Sequence, residues 1–107
     1  MKSDIYFATL ELRETFLKLK DDDHNLFKKI CKTMDCVRQD CFCGIQIRKR
    51  LIPMDYVQKY GIDNLWKVNL SHDWRLLYSI TNKREILVVA VIIDWMHHKD
   101  YERKFKY

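Results

Sequence analysis

The segment ILVVAVIIDW, residues 86–95, limits the fold more than any other stretch of the chain. Its eight consecutive apolar residues, Ile86 to Ile93, fall far short of the ~20 that a membrane-spanning helix needs. They are apolar at odd and even positions alike, so a strand made from them has no wet face. Such a strand belongs in the middle of a sheet rather than at its edge. The other elements must be arranged around it. A length of 107 residues allows a single domain, 1–107, with one core. With 48% hydrophobic and 33% charged residues the composition is globular rather than disordered.

Upstream the hydrophobic period is helical. In TLELRETFLKLK, Leu12, Phe16 and Leu19 recur at helix spacing, with Leu10 nearby. This predicts a first helix that either begins as early as Asp4 or follows a short strand in SDIYFA. Asp21 to Asp23 stop it and offer N-cap acceptors to a second helix, where negative charge also suits the dipole. That helix carries Leu26, Phe27, Ile30, Cys31, Met34, Val37 and Cys41 on one stripe, and Gly44 is its expected stop. Two helices joined by a tight acidic turn predict an antiparallel hairpin.

After Gly44 the period changes. GIQIRKRLIP alternates through Ile45 and Ile47, which predicts a strand with one wet face, interrupted by Pro53. MDYVQKYGIDN predicts a loop with a turn of helix ending at Gly61. LWKVNL and WRLLYSI, separated by Ser71, His72 and Asp73, predict a β-hairpin. TNKRE predicts a second turn, leading into the apolar run. The expected fold is α+β: an N-terminal helical hairpin on one face of a roughly four-stranded antiparallel sheet, with a short C-terminal basic segment.

The N-terminus MKSDIYF has none of the regions of a signal peptide, so a cytoplasmic protein is expected, with no membrane association. Twenty Lys and Arg against 15 Asp and Glu give a charge of +5, which favours an anionic partner such as nucleic acid. Without a secretion signal, Cys31, Cys36, Cys41 and Cys43 are not expected to form disulfides. Their C-x4-C-x4-C-x-C spacing matches no common zinc pattern. Five-residue steps on a helix rotate roughly 140° each, so the thiols would not converge on one metal. They are expected to be free and to act as small buried apolar groups, with no metal or cofactor in the protein.

Three groups of residues carry chemistry. In WRLLYSI, Trp74, Leu76 and Tyr78 point one way and Arg75 and Leu77 the other. An arginine in so apolar an element either pairs with an acid, lies on an exposed face, or is held at the floor of a cleft to grip a phosphate. In the tail, His97, His98, Lys99 and Tyr101 follow the central strand directly. They are either a charged, frayed terminus or an acid–base and cation set sufficient for cleaving RNA through its own 2′-OH. In RKR, Arg48 and Arg50 share one side of an extended strand. They serve either as contacts to a phosphate backbone or as charges that protect an edge.

In order, the helix hairpin, GIQIRKRLIP, LWKVNLSHDWRLLYSI and VVAVIIDWMHHKDYERKF resemble the RelE/ParE superfamily of small prokaryotic toxins, and most closely its RelE-like branch. The resemblance covers nearly the whole chain; WRLLYSI and HHKDYERKF are its most specific parts. It implies a ribosome-dependent mRNA endonuclease that cuts the codon in the ribosomal A site and is neutralised by a small antitoxin protein. Carried over, it gives Arg75 the phosphate-stabilising role, Tyr101 a catalytic or stacking role, His98 the basic position before that tyrosine, and Lys67 the cation of the preceding strand. Arg48, Arg50, Lys99, Arg103 and Lys104 are the implied RNA contacts. Val68, Asn69 and Leu70 stand where active members often carry cations, leaving Asn69, Trp66 and Trp74 as a base-binding surface. The superfamily also includes gyrase poisons and non-toxic members, so a ParE-type gyrase inhibitor or a non-catalytic module binding protein or RNA are the alternatives.

Overall fold

The computed structural model describes residues 1–83 and 87–105. Along the chain run β1 (Asp4–Phe7), α1 (Leu10–Asp22), α2 (His24–Gln39), β2 (Ile45–Gln46), a 3₁₀ turn (Lys49–Leu51) and α3 (Met54–Tyr60). They are followed by β3 (Trp66–Asn69), β4 (Trp74–Lys83), β5 (Leu87–His97) and α4 (His98–Phe105). The strand order is β1-β5-β4-β3-β2, with β1 parallel to β5 and the other neighbours antiparallel. The apolar run therefore lies inside the sheet, between β1 and β4. The sheet is five-stranded and mixed, not four-stranded and antiparallel, because SDIYFA supplies the extra strand. Ile5 and Phe7 turn inward and Asp4 and Tyr6 outward, a period of two that lasts only four residues.

The helices start where local hydrogen bonding allows. Thr9 caps α1, its Oγ1 accepting from the Leu12 N–H at 3.0 Å. Asp23 alone separates α1 from α2 and caps the latter, Oδ1 accepting from the Leu26 N–H at 3.2 Å. Such caps contribute about 1 kcal/mol each. Helix α2 ends at Gln39, five residues before the expected glycine stop. Gly44 is required for a different reason. A Cβ there would lie 2.8 Å from the Lys67 carbonyl oxygen and 2.9 Å from the Tyr78 hydroxyl. That hydroxyl accepts from the Gly44 N–H at 3.1 Å and donates to the Cys41 carbonyl at 2.7 Å, tying the segment after α2 to the sheet. Gly61 does end α3, in the left-handed conformation with φ 64°.

Two apolar clusters cover the two sheet faces. On one, Phe16, Leu26, Ile30 and Val37 of the helical hairpin pack on Leu76, Tyr78, Ala90 and Ile92. On the other, Tyr56 of α3 and Tyr101 and Phe105 of α4 pack on Leu77, Ile93 and Met96. The C-terminal basic segment is thus a helix with an apolar side, Tyr101 and Phe105 lying one turn apart with ring centroids 4.4 Å apart. Pairing slips between β4 and β5: Leu77 faces Asp94 and Tyr78 faces Ile92, leaving Ile93 in a bulge. Strand β4 runs through Thr81 to Lys83, and the rest of the expected TNKRE turn lies outside the described residues. Among the described residues no helix is long and apolar enough to cross a membrane.

The four cysteines are free thiols. Cys41 is buried and Cys31 and Cys43 half-buried, but Cys36 is exposed, so the expectation of buried apolar groups fails there. Burial and the neighbouring Cys36 thiol push the Cys43 thiol up to about 11.

Candidate active site

Lys67 and Arg75 share the sheet face that α4 covers. In the β3–β4 ladder Lys67 stands opposite Leu77 and Asn69 opposite Arg75. The two cations are therefore diagonal neighbours, their backbones about 7–8 Å apart. Lys67 also faces Ile45 of β2. Its ammonium sits 5.2 Å from the centroid of the Tyr101 ring, a cation–π arrangement. Tyr101 is 3% exposed, and the Phe105 ring stacks against it. Lys67 lines a cleft of about 340 Å³ together with Ile45, Ile47, Arg48 and Leu51. Lys67 is thus placed beside Tyr101 and in one cleft with Arg48.

Arg75 is half-buried, and its Nη1 donates to the carbonyl oxygens of Ser71 at 3.1 Å, His72 at 3.2 Å and Trp74 at 3.2 Å. Among the described residues no carboxylate pairs with it; its partners are turn carbonyls. The fork is fixed at the end of the hairpin by backbone oxygens. The two histidines lie side by side at the same end, their ring centroids 4.3 Å apart. His97 closes β5 opposite Trp74, with ring centroids 5.8 Å apart, and so lies on the tryptophan side. His98 opens α4, its N–H donating to the Asp73 carbonyl at 2.6 Å. Arg75 and His98 are therefore both anchored on the 71–73 turn.

The outer cations are arranged differently from the sequence expectation. Strand β2 is only two residues long, and Lys49–Leu51 forms a 3₁₀ turn. Arg48 and Arg50 consequently do not form a stripe along a strand: Arg48 lines the cleft with Lys67, and Arg50 lines a second cleft of about 580 Å³ with Arg103 and Lys104. Lys104 is bound to Asp55 at 2.6 Å and lies 4.5 Å over the Tyr56 ring. This pairing holds the Asp55 carboxyl below the usual carboxylate range. Arg103 and Lys99 are exposed, Arg103 lying 3.7 Å from Asp100. The expected base-binding surface does not form as a unit. Trp66 and Trp74 pack with the helical hairpin's cluster, whereas Asn69, opposite Arg75, is on the other face.

The sequence reading missed Asp94 and Tyr56. Asp94 lies in β5 directly after the apolar run, and its Oδ2 accepts from the Tyr56 hydroxyl at 3.1 Å. Its Oδ1 accepts from the Trp95 N–H at 2.9 Å. Burial pushes the Asp94 carboxyl above its ordinary value, partly offset by those bonds and by Lys104 and Lys59. An acid embedded in VVAVIIDW was the available signal. A raised folded pKa means that the parent protein loses stability as pH rises through that value and carries the full cost above it. Asp94→Asn retains an acceptor for Tyr56 and cannot ionise. The variant should be more stable than the parent in urea melts at pH 7, and the difference should vanish below about pH 4. A variant less stable at pH 7 would show that attraction to Lys104 and Lys59 outweighs desolvation.

No protein-family model matches this sequence, and no curated protein is significantly similar to it. Among solved structures, a YoeB/ParE toxin from Agrobacterium tumefaciens is similar over 92% of this chain and 99% of its own, with a TM-score of 0.58 and 15% identity. The chain has the fold of that toxin. Within it, WRLLYSI and HHKDYERKF form most of β4 and the β5–α4 junction. Those are the elements that carry Arg75, His98 and Tyr101.

Proposed function

We propose that this protein is a RelE-like toxin, a cytoplasmic ribosome-dependent endonuclease that cleaves mRNA in the ribosomal A site and is neutralised by a small antitoxin. The observation that supports it most is the presence of Lys67 and Arg75 on one face of a toxin-fold sheet, each held by a defined partner. The 2′-oxygen of the RNA attacks the adjacent phosphorus, and the bond from phosphorus to the 5′-oxygen of the next nucleotide breaks. The products are a 2′,3′-cyclic phosphate, open to hydrolysis to a 3′-phosphate, and a 5′-hydroxyl. One group must take the 2′-OH proton and another must protonate the leaving oxygen, and His98 is suited to one of these transfers. Arg75 and Lys67 stabilise the charge that builds on the phosphate oxygens. Tyr101 acts through Lys67, since its ring is covered and faces the ammonium. Arg48, Arg50, Lys99 and Arg103 hold the backbone; Lys104 is engaged with Asp55 and joins them only by leaving it.

Induced expression in a bacterial host, followed by mapping of mRNA 5′ ends, tests this. New 5′-hydroxyl ends within translated coding regions, together with growth arrest, are expected. DNA damage with intact mRNA would replace this reading with gyrase inhibition. Growth without either would leave a non-catalytic module that binds protein or RNA.

A further inference from the structure

We propose that Asp73, His97 and His98 form a site for one divalent transition-metal ion of the zinc class, clipping the β3–β4 turn to the β5–α4 junction. Asp73 is far in sequence from the histidines. The pairing of Trp74 with His97 and the hydrogen bond from the His98 N–H to the Asp73 carbonyl bring them together. One carboxylate oxygen and one nitrogen from each ring all lie within 4.8 Å of one another. The two imidazole rings have centroids 4.3 Å apart.

A second observation points to a ligand. His98 Nδ1 is buried and has no hydrogen-bond partner among the described residues. It faces Asp73 Oδ1 at 3.7 Å, beyond hydrogen-bond reach. Buried polar atoms are rarely left in this state, and a metal ion between the nitrogen and the carboxylate would satisfy both. Zinc bonds of about 2.0–2.2 Å place tetrahedral ligand atoms roughly 3.3–3.5 Å apart, so the cluster must contract slightly. Asp73 can supply that movement, because its side chain is 65% exposed on a turn. A competing contact is the hydrogen bond from the Lys99 N–H to His97 Nδ1, long at 3.3 Å and readily exchanged for a metal bond.

The donor set selects the class of ion. Two imidazoles and a carboxylate suit zinc, nickel, copper or iron, whereas magnesium and calcium favour oxygen ligands. Three protein ligands leave a fourth position for water. Arg75 and Lys99 lie nearby in sequence and oppose a cation, which sets the affinity below that of a buried structural zinc site. An ion here also withdraws the His98 ring from proton transfer. That consequence rests on the nuclease reading; the binding does not.

Titration of the purified full chain with Co²⁺, followed by Zn²⁺ competition, tests the site without RNA or ribosomes. One ion per chain should bind, giving visible d–d absorption without the near-ultraviolet band of thiolate ligands, and Zn²⁺ should raise the Tm. Asp73→Asn and His98→Gln should each weaken binding by roughly tenfold or more, while Cys36→Ser together with Cys43→Ser should bind as the parent does. If His98→Gln fails to fold, Asp73→Ala on the exposed turn gives the same readout. No binding, a thiolate band, or binding lost in the cysteine variant and kept in the Asp73 variants would overturn the proposal. Because the test involves no cleavage, its failure would leave the nuclease reading standing, and the reverse also holds.

Discussion

On the proposed nuclease reading, Arg75→Ala should lower the rate of mRNA cleavage by roughly 10²–10³-fold, the usual cost of removing one fixed donor aimed at developing charge. The guanidinium is immobilised before any substrate arrives. Its Nη1 is held by the carbonyl oxygens of Ser71, His72 and Trp74. Bonds from one nitrogen leave the rest of the planar fork to meet a phosphate in a set orientation. Arg75→Lys separates charge from geometry. A lysine restores the charge but not the fork, so it should recover only part of the lost rate. The turn itself should tolerate either change, because His72 is exposed and its carbonyl can turn to water. Thermal melts of both variants close to the parent would keep a loss of cleavage from being read as unfolding. An Arg75→Ala protein that cleaves at the parent rate would remove Arg75 from the site.

How much of this was legible in the sequence depended on whether the relevant physics was local. The alternation of β4 could be read because each of Trp74, Leu76 and Tyr78 has a large apolar side chain, and the structure puts them all on the hairpin side. β1 was ambiguous because four alternating residues running straight into a helix leave too short a period to separate the two states. The strand expected through Arg48 and Arg50 is a 3₁₀ turn, because only Ile45 and Gln46 find a ladder partner in β3. α4 looked like a solvated tail because two aromatics among charged residues are a weak pattern. Its helix is decided by what those aromatics meet, namely Leu77, Ile93 and Met96. At the site, Arg75 stood out because arginine is expensive in an apolar strand. The burial of Tyr101 beneath Lys67, and the meeting of Asp73 with His97 and His98, depend on strand register and could not be read from spacing.

Leu76→Ala and Leu77→Ala should each cost about 2–5 kcal/mol, the range for truncating a fully buried leucine, out of the ~5–15 kcal/mol that holds such a domain together. Both side chains have no exposed surface, yet they belong to different layers. Leu76 packs with Phe16, Leu26, Ile30 and Val37 beneath the helical hairpin. Leu77 packs with Tyr56, Leu65, Ile93, Tyr101 and Phe105 beneath α3 and α4. Each deletion leaves a cavity on one side of the same strand, so the global losses should be similar and the local ones opposite. Amide hydrogen exchange should quicken in α1 and α2 for Leu76→Ala, and in α3 and α4 for Leu77→Ala. Only the second loosens the support of Tyr101 under Lys67, so on the proposed nuclease reading it should also reduce cleavage at temperatures where both variants remain folded. Equal quickening of the same helices in both variants would show that the sheet is not divided into two separately packed faces. A loss well under 1 kcal/mol at either position would show that the neighbouring side chains collapse into the space, which close packing on both sides of β4 opposes.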